Sequence, residues 1–164
     1  MFTKQQFLDS IQHETRVCQH LFSKLNDRPL DFRPTPGQRS TLELLQYLTI
    51  CCQVPIQALL TGDWNQARAD IEKIKSLSVD QFNEAMDRQC QNVQSLLASI
   101  SEDDLLHKEA LLPMGRTSIL GAALVNFPLK FIAAYRMQLF LYLKLMGAHE
   151  LVTSNCWFGM DKPK

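Results

Sequence analysis

Apolar residues recur along most of the chain at the three-to-four-residue spacing of a helix with one buried stripe. Phe7, Ile11, Cys18, Leu21, Phe22 and Leu25 make the first stripe. "TKQQ" opens it, with Thr3 and Gln6 spaced to satisfy each other's free backbone donors as a capping box. A second helix is predicted from Ser40, where "STLE" repeats the box with Glu43 and Leu44, Leu45, Leu48 and Cys52 continue inward. Pro55 predicts a kink or an early end there. A third begins at Ser78 with "SVDQ" and carries Phe82, Met86, Cys90, Val93, Leu97 and Ile100 to about Ser101. The fourth is predicted from about Ser118 to Met146, with Gly147 suited to follow a helix end.

Between these helices the pattern weakens. "NDRPLDFRPTPG", Asn26 to Gly37, holds three prolines and a glycine and reads as a long loop. "TGDWNQARADIEKIKSL" reads equally as a loop or a polar helix. "EDDLLHKEALLPMGRTS" reads as a connector that turns at Pro113-Met114-Gly115. No strand is predicted. Residues 155–164 read as an irregular tail whose Trp157 and Phe158 pack back on the body. The expected architecture is all-α: one domain over residues 1–164, a four-helix bundle with a long connection between helices 1 and 2.

Composition narrows the partners. Lys plus Arg and Asp plus Glu number 17 each, so the formal charge is zero. A nucleic-acid partner, which needs a basic surface, is not expected. The fourth helix is apolar nearly all round and long enough to cross a bilayer. Lys130 and Arg136 fall mid-span, however, at about 2.5–3.5 kcal/mol each, so no membrane span is expected. A central helix that also covers a subunit interface fits better, which predicts a homodimer. The five cysteines, Cys18, Cys51, Cys52, Cys90 and Cys156, show no CxxC, and no secretory leader is read at the start. Reduced thiols in a cytoplasm are expected.

Motifs for chemistry are scarce. The histidines are His13, His20, His107 and His149, and no two form an HxxxH pair. There is no GxSxG, no GxxxxGK and no GxGxxG. What remains is an aromatic row, Phe127, Phe131 and Tyr135, four residues apart on one helix face. Such a row is ordinary core by itself. Pro128 inside it removes a helical hydrogen bond and predicts a bend just before Phe131.

Two stretches carry a family resemblance. "RPTPGQRSTLELLQYL", Arg33 to Leu48, resembles the start of helix 2 in the DinB-like (YfiT-type) four-helix bundle superfamily. Its pattern there runs Arg-Pro-x-Pro-Gly-Lys-Trp-Ser, then Glu, then His-Leu. Leu112 to Gly147 resembles that family's last helix, with Arg136, Gln138, Leu139, Tyr142, Leu143, Leu145 and Gly147 keeping its pattern. The resemblance implies a divalent metal held by three histidines, one on helix 2 and two on the last helix. Those positions fall on Tyr47, Phe131 and Tyr135, all aromatic here. Phenylalanine offers a metal no lone pair, and a phenol near pKa 10 is a poor substitute for imidazole. The expectation is therefore no metal and no cofactor, and no catalytic residue.

Three readings follow. One is a non-catalytic homodimer that binds a small apolar molecule between Tyr47, Phe131 and Tyr135. Another is an enzyme with displaced chemistry, such as a glutathione-type thiol transferase, with Arg136 and Gln138 or the two tyrosines as polar anchors. The last is a bundle whose former site has become core.

Overall fold

In the computed structural model, which describes residues 3–162, all three capping boxes form. Thr3 and Gln6 start α1 (Lys4–Phe22), and Ser40 and Glu43 start α2 (Thr41–Leu48). Ser78 and Gln81 bracket a single tight turn before α5 (Phe82–Leu97). Apolar stripes from these helices meet in one core, where Ile11, Leu21, Leu44, Leu48, Met86 and Leu139 are fully buried.

The second helix breaks earlier than Pro55. After α2 the chain turns through Thr49–Cys52 and resumes as α3 (Gln53–Thr61), bent by 48° from α2. Pro55 lies in the first turn of α3, where the lost N–H has no helical partner to forfeit. The break is held by buried Gln89 of α5. Its Oε1 accepts from the Cys52 amide at 2.8 Å, and its Nε2 donates to the Leu48 carbonyl at 2.9 Å. The polar stretch that follows is helical, α4 (Trp64–Lys73), because Asp63 caps it through Asn65 and Gln66 amides.

The connector corrects the expectation of no strand. A short helix α6 (Glu102–His107) leads into β1 (Glu109–Leu111), which pairs antiparallel with β2 (Thr117–Ile119), Ala110 opposite Ser118. Ser118 therefore lies in a strand, and the last long helix starts at α7 (Leu120–Leu124). One wide π-helical turn, Val125–Leu129, then joins α7 to α8 (Lys130–Leu145). Pro128 sits inside it, so the bend predicted before Phe131 takes the form of a local change of helix register.

The expected irregular tail holds a further helix, α9 (Thr153–Phe158). It buries Asn155 and Cys156, while Trp157 packs one ring face over Arg136 and stays half exposed, and Phe158 is exposed. Gly159 ends α9 at φ +63°, and its α-carbon faces the α1 backbone so closely that an added Cβ would lie 3.2 Å from Val17 Cα. Four long elements thus form the bundle: α1, the broken α2–α3 pair, α5 and α7–α8. Among the described residues no single helix is long and apolar enough to cross a membrane; α2 and α3 pass such a test only as a bent pair.

Candidate functional site

Tyr47 occupies the last turn of α2, beside the break, and Tyr135 the second turn of α8. Their ring centroids are 4.8 Å apart at 71°, an edge-to-face contact. Arg39 lies over both: its Cζ is 4.2 Å from the Tyr47 centroid and 5.3 Å from the Tyr135 centroid. Its Nη1 reaches Tyr135 Oη at 3.5 Å, a weak hydrogen bond.

A relay from α8 fixes the Arg39 backbone. Gln138 Nε2 donates to Tyr142 Oη at 2.6 Å, and that hydroxyl donates to the Arg39 carbonyl at 2.9 Å. Gln138 is thus a positioning residue one step removed. Arg33 clamps the other side, with Nη1 and Nη2 at 2.8 and 2.9 Å from the two oxygens of Glu43. The Arg33 hydrogen bond, helped by the Ser40 amide, holds the Glu43 carboxyl below the usual range.

Phe131 is separate from the tyrosine pair. It packs edge-on against Phe127 at 5.8 Å, and Phe127 lies 6.3 Å from Trp64. The row therefore divides into a stack of Tyr47, Tyr135 and Arg39 and a cluster of Phe131, Phe127 and Trp64. Between them opens a cleft of about 410 Å³, walled by Tyr47, Trp64, Ile71, Leu112, Met114 and Phe131. Trp64 Nε1 donates to the Leu111 carbonyl at 2.9 Å and so ties the β-hairpin to α4 along this wall. Met114, at the hairpin tip, is 98% exposed and in the left-handed region at φ +66°. A smaller hollow of about 200 Å³, bordered by Arg39, Glu43, Glu72 and Lys75, shares Tyr47 and Ile71 with the cleft. Another space, of about 440 Å³, lies between the start of α1, α6 and α7, and its described lining holds no titratable side chain.

Burial pushes the Tyr47 phenol above its ordinary value. Tyr135 and Cys51 add to that and Arg39 opposes it, so the neutral hydroxyl is the stable form at neutral pH. Burial likewise raises the thiols of Cys18, Cys52, Cys90 and Cys156, which disfavours thiolates. Among the described residues no cysteine borders the cleft. Asp63, the carboxylate among the described lining residues, is engaged as the α4 cap.

Arg136 is not an anchor of this cleft. It is 2% exposed and faces α1 and α9, with Nε 2.6 Å from Glu14 Oε2 and Nη1 2.6 Å from the Cys156 carbonyl. The Trp157 ring covers it at 4.8 Å. A buried guanidinium with both partners in place holds α9 to the bundle. Among the described residues, no three His, Cys, Asp or Glu side chains gather where they could hold a metal ion. Sequence reasoning missed Arg39 and Trp64. The only available signal for Arg39 was its place directly before the Ser40 cap, which puts it beside the helix that carries Tyr47.

No family model matches the sequence, and no curated protein matches it. Its structure is similar to the crystal structure of a DinB-like protein, YjoA, from Bacillus subtilis, with a TM-score of 0.66 and 19% identity. The likeness covers 90% of this chain and 95% of that one. The chain has the fold of the DinB-like proteins.

Proposed function

We propose that this chain is a non-catalytic, metal-free binding protein that takes a small apolar molecule into the cleft between Tyr47 and Phe131. The observation that carries this reading is the open, aromatic-walled space of about 410 Å³ next to the positions where the resemblance implies a metal. Its size falls within the roughly 300–1,000 Å³ of small-molecule sites. The residues there do not fit a divalent cation. Phe131 has no donor atom, Tyr47 is held neutral, and the Arg39 cation already lies against both tyrosine rings. The engaged Asp63 carboxylate and the raised thiols count against displaced nucleophilic chemistry.

The reading includes a homodimer through α8, supported by Leu141 and Leu145, which are 49% and 64% exposed on that helix. Size-exclusion chromatography with light scattering checks it; a monomer at micromolar concentration contradicts it.

Binding is tested by fluorescence titration with N-phenyl-1-naphthylamine, a neutral apolar probe. The expected result is one saturable site per chain, weakened at least about tenfold by Phe131→Asp, with the helical circular dichroism retained. Absence of saturable binding, or binding indifferent to that substitution, overturns the reading.

A further inference from the structure

The hollow that adjoins the apolar cleft is bordered by a cation, Arg39, without an ion-pair partner among the described residues. Among the described residues Arg39 makes no salt bridge, and one contact at 3.5 Å engages a guanidinium that offers five N–H donors. The nearby carboxylates are committed elsewhere. Glu43 is held by Arg33 and by the Ser40 amide, and Glu72 pairs with Lys75. The guanidinium carbon lies 4.2 and 5.3 Å from the Tyr47 and Tyr135 ring centroids, and among the described residues no carboxylate takes up the donor fork that matches one. Its backbone is fixed by the Tyr142 hydroxyl, so the head group meets a preorganised donor. Tyr47 and Ile71 border both the cleft and the hollow that Arg39 lines, so a molecule lying against Phe131 comes to Arg39 past one ring.

Resting on the reading of the cleft as a ligand site, we infer that its ligand is an amphipathic monocarboxylate, with the apolar body against Trp64 and Phe131 and the carboxylate on the edge of Arg39. A single negative charge is specified because, among the described residues, Arg39 is the cation bordering the hollow that has no ion-pair partner, Lys75 being paired with Glu72.

The test compares decanoate with decan-1-ol by isothermal titration calorimetry at about pH 8, where the acid is ionised. The wild-type chain is expected to bind decanoate at least about tenfold more tightly than the alcohol. Arg39→Gln should bring that ratio close to one, while Arg39→Lys, which keeps the charge and loses the fork, should retain part of it. Thermal melts establish that each variant is folded. Equal affinity for acid and alcohol in the wild type overturns the inference while leaving an apolar site in place. So does a ratio that survives Arg39→Gln and collapses in Arg68→Gln, since exposed Arg68 also borders the cleft. If neither molecule binds, both the inference and the reading beneath it fail.

Discussion

Gln89 joins two backbone groups that the broken helix leaves without partners. It is 1% exposed, and its amide serves the Cys52 N–H and the Leu48 carbonyl together. A leucine there keeps the volume, strands the Cys52 N–H in the core and leaves the Leu48 carbonyl only the weak Cys51 thiol donor. Unsatisfied buried groups cost about 1–3 kcal/mol each, so Gln89→Leu is expected to destabilise the fold by about 2–4 kcal/mol. The check is urea unfolding, with a lower midpoint and an unchanged slope. His20 gives a pH test at the same scale. Burial, then Lys24, pushes its pKa below 6.5, against the opposing pull of Asp161. Its Nε2 lies 3.0 Å from Asn155 Nδ2, which suits the neutral ring as acceptor. The unfolded chain therefore takes up a proton on His20 more readily than the folded one. The stability involved is present above about pH 6.5 and is lost as the pH falls through the lowered folded value. The urea midpoint should drop between about pH 7.5 and about pH 5.5, and drop less in His20→Gln. A profile identical in the variant contradicts this.

At the scale of elements, the hairpin is the least anchored part of the cleft wall. Two three-residue strands make few ladder bonds, and the Trp64 indole supplies a tie to α4. Trp64→Phe keeps most of the apolar surface and removes the donor. Hydrogen exchange across Glu109–Ile119 is expected to accelerate by about tenfold, with α1 and α5 unaffected; equal rates in both proteins contradict the tie. This hairpin also explains where the sequence stopped being readable. Glu109-Ala110-Leu111 is too short for alternation to register, and neither Glu nor Ala favours strands. The helix starts were legible because Thr3 with Gln6, Ser40 with Glu43 and Ser78 with Gln81 are local chemistry. The helix in the last residues was not, because α9 is stabilised by distant partners. His13 meets the Trp157 carbonyl, Arg136 the Cys156 carbonyl, and His20 the Asn155 amide. For the same reason Arg136 looked available on paper: its partner Glu14 lies 122 positions away in sequence. Tyr47, Phe131 and Tyr135 were found by resemblance, but their division into a closed stack and an open wall depends on Arg39 and Trp64, whose contacts no spacing rule reveals.

The whole molecule pairs a DinB-like fold with a ring-lined site beside Arg39, a cation with no ion-pair partner among the described residues. The central claim is that positions suited to a metal by resemblance serve here as a wall for an apolar ligand. Native mass spectrometry reads both halves of that claim at once. The chain would be produced with zinc and nickel salts in the medium, purified without a metal-affinity column, and mixed with an equivalent of N-phenyl-1-naphthylamine. The expected mass is that of the chain plus one probe per chain and no metal, with the probe lost in Phe131→Asp. A chain carrying stoichiometric zinc or nickel, or one that retains no probe, would contradict it.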